Sequence, residues 1–295
     1  MPKILGKNNE KQKKKKEAEI LIVAKQNRTG IRMARKLEKE LKKYTENVHF
    51  DRSTALRLKK RGTPVKKFSG DLVITIGGDG TLLWTSHQTD VPILPIKIEG
   101  YGFLCTANFK QLLENLKNVV EGKYEITHRM RLKCIRVRKS KIEKYIDRIF
   151  HSEYPFSMNE VTFARKRPSK ILELEVKIDG ALFDFVGDGV LFSTPAGSTA
   201  YGSSAGGSII DPSLSAITMV PLYPFYSKIK PMILPMDKKI EVTIKGGDCA
   251  LIIDGHSGDY VTSDSTFIIE GAEPAKIISI VPQNFYEKVR KGLMS

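Results

Sequence analysis

Apolar and polar positions change their period part-way along this chain. In the first 123 residues, short apolar runs alternate with helical patterns. ILIVA (20–24), DLVITI (71–76) and VPILPIKI (91–98) are near-continuous apolar runs rich in β-branched residues, as strands buried on both faces are. TGIRMARKLEKELKKY (29–44) sets Ile31, Ala34, Leu37 and Leu41 at helical spacing. A short helical stretch is expected from Thr81. NFKQLLENLKNVVEG (108–122) reads as one helix, with Asn108 as its N-cap and Gly122 beyond its end. Strands alternating with helices predict a parallel sheet covered on both faces.

After about Tyr124 the period becomes two. ILELEVKIDGALFDF (171–185) puts Leu172, Leu174, Val176 and Ile178 on one face, and Glu173, Glu175 and Lys177 on the other. Asp179-Gly180 then supplies a hairpin turn. KKIEVTIKGGDCALIIDG (238–255) has the same character, and short strands are expected through 260–282. PQNFYEKVRKGL (282–293) reads as a short helix. The expected architecture is an α/β N-terminal domain with a Rossmann-like parallel sheet, joined to a β-rich C-terminal domain. The expected boundaries are a basic disordered tail at 1–18, the α/β domain at 19–123, the β-rich domain at 124–275, and a segment at 276–295 that packs back on the α/β domain.

Composition and charge narrow the class. With 295 residues, 41% apolar and 28% charged, the chain can bury a proper core. No apolar run approaches the roughly 18 residues of a membrane span, so no membrane partner is expected. Cys105, Cys134 and Cys249 are far apart and lack metal-ligand spacing, which suits reduced thiols in a cytoplasmic protein. The net charge is +16, but seven lysines and one glutamate among residues 1–16 supply +6 of it. The remainder is interleaved with Glu on solvated helix faces, without a nucleic-acid-binding signature, so no nucleic-acid partner is expected.

The chemistry concentrates in two stretches. DLVITIGGDGTLLW (71–84) ends a strand in Gly77, Gly78, Asp79, Gly80 and Thr81. It fits neither the G-x-G-x-x-G turn nor a P-loop, which needs a lysine before its Ser/Thr. One reading is a tight strand-to-helix turn with Asp79 bonding local N–H groups. The other is a ligand site at the carboxyl end of a parallel strand. There Gly77, Gly78, Gly80 and Thr81 let a donor's polyphosphate lie against backbone N–H groups. Asp79 then takes a proton from an attacking hydroxyl, or acts through Mg²⁺ bridging it to the phosphates. Both versions describe a kinase acting on an alcohol. The second stretch runs from Gly187. Between Thr194 and Gly207, all but Pro195 and Tyr201 are Gly, Ser, Ala or Thr. Strand-like flanks hold this loop at both ends, which favours a ligand loop over a linker, with Tyr201 free to stack on a ring.

GGDGT, Asn159-Glu160 in SMNEVTF, DGVLFSTPAGSTAYGSSAGGSIIDPSL and YPFYSKIKPMILP together resemble the NAD kinase family, in order from about residue 19 onward. GGDG alone is shared with lipid kinases and phosphofructokinases; the long second motif is specific. The resemblance implies an α/β domain joined to a β-rich domain with the active site between them, in a homodimer or homotetramer whose neighbouring subunit completes the site. It implies phosphorylation of the adenosine-ribose 2′-hydroxyl of NAD, with ATP or polyphosphate and a divalent metal such as Mg²⁺. By position, Asp79 would be the base. Gly102, Phe103, Asn159, Glu160, Thr199, Ala200, Tyr201 and Ser204 would bind NAD, and Asp188 would reach the nicotinamide end. No protein residue is assigned as a dedicated metal ligand. The alternatives kept open are a lipid kinase sharing GGDG and a non-catalytic dinucleotide sensor. The chain departs from the family pattern at Leu94 to Phe103, at Ala196 and at Phe225. Within the first of these, Lys97 either pairs with Glu99 or contacts donor phosphate.

Overall fold

The computed structural model describes residues 17–98, 102–137 and 154–293. Most of the basic tail, and Glu99, Gly100 and Tyr101, lie outside the described residues, so the tail and the Lys97–Glu99 pair are not among the features below.

The continuous apolar runs become strands β1 (Ile20–Ala24), β3 (Leu72–Gly77) and β4 (Ile93–Lys97), all parallel. A shorter strand, β2 (Val48–Phe50), adds to the edge beside β1. Helix α1 (Arg28–Leu41) buries Ala34, Leu37 and Leu41 on one face of this sheet, as its period requires. Helix α3 (Asp79–Ser86) buries Leu82 and Leu83 on the other. The sheet is therefore covered on both sides.

Three local expectations change. The chain between β2 and β3 forms a further helix, α2 (Arg52–Leu58), capped by Asp51. Helix α3 starts at Asp79 rather than Thr81. The single helix expected at 108–122 divides at Asn115 into α4 (Phe109–Glu114) and α5 (Leu116–Val120). Asn115 has φ −104° and ψ 7°, and its side-chain amide donates to the Gln111 carbonyl, competing locally with the helix ladder.

The β-rich half is two packed layers. One continues the parallel sheet in the order β2-β1-β3-β4-β16-β13-β8-β9. Here β8 is Leu172–Ile178, β9 Ala181–Gly187, β13 Ile240–Gly246 and β16 Ser265–Ser279, with β6 (Glu125–Val137) running along β16. The expected hairpin joins β8 to β9, with Asp179 and Gly180 both at positive φ. The other layer is antiparallel, ordered β12 (Met232–Pro235), β11 (Ala216–Leu222), β10, β7, β14 and β15 (His256–Val261). Its central strands are β7 (Glu160–Arg165), β10 (Gly189–Ser193) and β14 (Cys249–Ile253). Leu172, Leu174 and Val176 meet Phe163, Phe192 and Leu251 between the layers. β16 crosses from this core to the parallel strands, where Ile277 pairs with Ile93 of β4. The helix Phe285–Leu293 follows it. Among the described residues, no helix is long and apolar enough to cross a membrane.

Candidate active site

β3 ends at Gly77, and Gly78 stands at the N-cap of α3 without a side-chain cap. Gly77 is demanded by packing, since a Cβ there would lie 2.1 Å from Thr81 Oγ1. Gly78 and Gly80 are different: a Cβ on either would meet nothing within 4 Å, so both turn bare faces to open space. The Asp79 carboxylate does accept backbone N–H groups, but not local ones. Oδ2 accepts from Phe103 (2.9 Å), and Oδ1 from Leu104 (3.3 Å) and Cys105 (3.2 Å). Gly102 closes over the same carboxylate, because a Cβ there would come within 2.8 Å of Oδ1. The loop expected to line a ligand pocket thus holds Asp79. The Cys105 thiol also bonds this carboxylate; burial first, and then the Asp79 charge, push its pKa well up.

The loop is gripped from behind. Lys288, on the helix Phe285–Leu293, donates to the carbonyls of Phe103 and Cys105, both at 3.0 Å. Gln283 donates to the Thr106 carbonyl at 2.6 Å. Burial holds the Lys288 pKa below the usual lysine value, with Arg129 adding to the effect. Lys97 pairs in register with Gly77 and joins Gly102, Cys105 and Lys288 around a cavity of about 330 Å³.

Asn159 and Glu160 are placed by a residue from a distant hairpin, Asp254. Its Oδ1 accepts from Ser157 Oγ (2.6 Å) and from the backbone N–H groups of Asn159 (2.7 Å) and Glu160 (3.1 Å). Its Oδ2 accepts from the Met158 N–H (2.9 Å) and lies 2.7 Å from His87 Nε2. Burial pushes the Asp254 pKa up, but the bonds from His87, Ser157 and Met158 outweigh it and hold the carboxyl below its ordinary value. His87 caps the end of α3, so one carboxylate ties Asp79's helix to the Asn159-Glu160 turn. At that turn, Asn159 Oδ1 and Glu160 Oε2 are buried without a hydrogen-bond partner. Burial, and then the Asp254 charge, raise the Glu160 pKa to about 8.

The small-residue loop packs on the same turn. Thr194 donates from its N–H to the Asn159 carbonyl (2.9 Å) and from its hydroxyl to the Met158 carbonyl (2.6 Å). A Cβ at Gly197 would lie 2.1 Å from the Asn159 oxygen. Thr199 is buried, and its hydroxyl donates to the Ala196 carbonyl at 3.0 Å. Ala200 leads into the short helix Tyr201–Ser204, where Ser204 is exposed and Tyr201 is 47% exposed. Ala196 packs against the apolar cluster that includes Leu82, Leu83, Leu104 and Met158, a place where a methyl serves better than a hydroxyl. Asp188 is not brought to this cluster. It precedes β10, about 20 Å along the strand from Thr194 just past its other end, and pairs with Arg165 at 3.0 Å.

A crevice of about 380 Å³ opens at the carboxyl ends of β1 and β3. β2 lies on one side of β1 and β3 on the other, so this is the point where the sheet's winding reverses, the usual ligand position in open α/β sheets. Gly80, Thr81 and His256 line it. His256 bonds the Asp254 carbonyl through Nδ1 (3.1 Å), and its ring stands edge-on to His87. Sequence reasoning missed His87, Asp254, His256 and Lys288. Only Asp254-Gly255 carried a signal, as a hairpin turn with both residues at positive φ.

Residues 3–124 match the ATP-NAD kinase N-terminal domain, and residues 158–280 the ATP-NAD kinase C-terminal domain. The NAD kinase of Methanothermobacter thermautotrophicus is 30% identical over 245 residues, covering 81% of each chain. That of Clostridium perfringens is 36% identical over 231 residues, covering 76% of this chain and 80% of the other.

The chain belongs to the NAD kinase family.

It is an enzyme of that family, and its fold is shared more widely still. A yeast NADH kinase complexed with NADH superposes with TM-score 0.83 at 22% identity, over 94% of this chain and 88% of the other. An NAD kinase from Archaeoglobus fulgidus in complex with ATP gives 0.72 at 24% identity, over 92% and 98%. At such identities the likeness concerns the NAD kinase fold alone.

Proposed function

We propose that the protein transfers the γ-phosphoryl group of ATP, or a terminal phosphoryl group of polyphosphate, to the adenosine-ribose 2′-hydroxyl of NAD, giving NADP. The observation that carries this is the linkage of two complementary features through one buried carboxylate. Asp79 stands beside the bare faces of Gly78 and Gly80, while the unpartnered acceptors of Asn159 and Glu160 are tied to the same helix through Asp254 and His87. Buried orphan acceptors call for a ligand with hydrogen-bond donors, which ribose hydroxyls and an adenine amine are.

Asp79 serves as the base. Oδ1 receives two N–H groups and Oδ2 one, so Oδ2 is the oxygen placed to take the hydroxyl proton. As the 2′-oxygen bonds to the phosphorus, the bridging P–O bond breaks and ADP, or shortened polyphosphate, leaves. Gly77, Gly78, Gly80 and Thr81 offer backbone to the donor's phosphates, and Thr199, Ala200, Tyr201 and Ser204 line the NAD side. A divalent ion such as Mg²⁺ fits as part of the donor complex, because such ions are held by one or two carboxylates and the phosphates, and Asp79 is the carboxylate at the glycine turn. When bound, it neutralises charge on the transferring group.

A homodimer or homotetramer completes the site. Tyr223, Phe225 and Tyr226 are 83%, 56% and 96% exposed beside Asp188, and Phe225 and Tyr226 stack edge-on at 4.2 Å. Such an aromatic patch supports a neighbouring copy covering this edge and sharing Asp188. The free, buried thiols of Cys105, Cys134 and Cys249 support a reducing, cytoplasmic setting.

The deciding experiment incubates purified protein with labelled ATP and Mg²⁺, and either NAD or diacylglycerol. Label is expected in NADP. Label in lipid alone, or NAD binding without turnover, overturns the proposal.

A further inference from the structure

Alternation along β6 gives Leu132 and Cys134 to the core between the layers, so Arg131 takes the opposite face. Its side chain is nevertheless only 3% exposed. A guanidinium taken so far out of water needs partners for five N–H groups. Nε donates to the Glu273 carbonyl (2.5 Å) and Nη2 to Asp90 Oδ1 (2.8 Å), and the guanidinium carbon stands over the Phe156 ring, 5.0 Å from its centroid. Among the described residues, Nη1 makes no hydrogen bond. Asp90, just beyond α3, is itself 79% exposed. A buried cation is thus neutralised by a carboxylate that water holds almost as well.

Arg131 lines a cavity of about 320 Å³, within the range of roughly 300–1,000 Å³ typical of small-molecule sites. This cavity shares no lining residue with the crevice at the ends of β1 and β3. Lys66 brings a second cation to it, Asp90 is its one carboxylate, and Pro155 and Phe156 give it an apolar wall. The end of α3 does not call for a cation here, because its last carbonyls are already filled. The His87 N–H donates to Leu83, and Gln88 donates from its side chain to Trp84 and from its backbone to Thr85. His87 also lines the cavity, and its Nε2 lies 2.7 Å from Asp254.

We propose that this cavity binds a small organic oxyanion, a phosphate ester or a carboxylate, whose charged group takes the Arg131 fork in place of Asp90 and whose apolar body rests on Phe156. The planar fork matches two oxygens of such a group, and Nη1 supplies the donors that Asp90 leaves unused. An anion beside His87 stabilises the charged imidazolium and so strengthens its bond to Asp254. Asp254 in turn fixes the N–H groups of Met158, Asn159 and Glu160. The occupied cavity therefore firms the Asn159-Glu160 turn from the side away from the crevice. The inference rests on the reading that this turn holds NAD, and it adds an effector that favours NAD binding.

Phenyl phosphate is the probe, titrated by calorimetry with and without NAD. It should bind saturably and more tightly than inorganic phosphate or phenol alone. Arg131→Lys, which keeps the charge and loses the fork, should weaken it about tenfold or more. Lys66→Ala, at an exposed position where folding is not at stake, should also weaken it. Asp90→Asn should tighten it and leave turnover in its absence unchanged. Saturating phenyl phosphate should improve NAD affinity about fivefold or more, and NAD should improve phenyl phosphate affinity by the same factor. The inference is overturned if phenyl phosphate does not bind, if Arg131→Lys binds it as wild type does, if ATP or NAD displaces it, or if NAD affinity is the same with the cavity filled. Binding through Arg131 in a protein with no affinity for NAD would uphold the cavity and sink the NAD reading of the turn instead.

Discussion

Lys288 and Asp79 hold one loop from opposite sides. Asp79 accepts the N–H groups of Phe103, Leu104 and Cys105, and Lys288 donates to the carbonyls of Phe103 and Cys105. The Phe103–Leu104 peptide group, bonded by Lys288 at its carbonyl and by Asp79 at its N–H, is polarised along its length, and the carboxylate's position depends on a residue far away in sequence. Lys288→Met should lower kcat by about 10–10²-fold, the scale of a small misplacement, with KM for NAD nearly unchanged. Because burial depresses the Lys288 pKa, its ammonium is lost at lower pH than an ordinary lysine's. The wild-type rate should therefore fall on the alkaline side where Lys288→Arg, which stays charged, does not. A pH–rate profile checks both; an unaltered kcat in Lys288→Met removes Lys288 from the mechanism.

Gly102 tests the same carboxylate by steric means. A methyl at this position would come within 2.8 Å of Asp79 Oδ1. Gly102→Ala should cut kcat with little change in Tm. Asp79→Asn should cut it by roughly 10²–10⁴-fold while NAD still binds by calorimetry. Turnover surviving in Asp79→Asn within a few-fold would make Asp79 only the anchor of the 103–105 loop.

Glu160 should leave a signature in stability against pH. Its folded pKa of about 8 stands above the model-compound value of 4.5. Between those values the folded state binds the proton more tightly than the unfolded state, so this residue's contribution declines as pH rises. Glu160→Gln, which keeps the shape without the charge, should gain Tm relative to wild type from about pH 5 to about pH 8, and level off above. Parallel pH curves for the two proteins would contradict this.

Asp254 should be more important for folding than any residue in the motifs. Removing it strands the N–H groups of Met158, Asn159 and Glu160 and leaves His87 unpaired. Asp254→Ala should cost about 3–5 kcal/mol in denaturant unfolding, as losing one partner of a buried pair does. Its folded pKa is depressed, so its contribution is present above the ordinary Asp range and is lost as pH falls through the lower folded value. The gap between wild type and variant should therefore close in acid.

Tyr201→Ala should raise KM for NAD more than KM for ATP, since Tyr201 is 47% exposed on the small-residue loop and does not line the crevice beside Gly80 and Thr81. Equal changes in both would place the ring elsewhere.

The sequence by itself determined whatever depends on neighbours along the chain. The continuous apolar runs at 20–24 and 71–76 read as doubly buried strands, the alternation at 172–178 as a strand with one buried face, and Asp179-Gly180 as a tight turn. GGDGT and the loop 194–207 stood out in the sequence because glycines and small hydroxyl residues in such density fail to build a core. Tertiary structure alone decided what fills the carboxylates. A chain pattern cannot show that Asp79 meets N–H groups 24 to 26 residues away, that Asp254 reaches back 94 to 97 residues to the Asn159-Glu160 turn, or that Lys288 lies behind the loop at 103–105. Hydrogen bonds are satisfied by proximity in space, and buried charges take whichever donors the fold delivers. The split at Asn115 has the same origin on a smaller scale, where one side-chain amide shares the Gln111 carbonyl with the helix ladder.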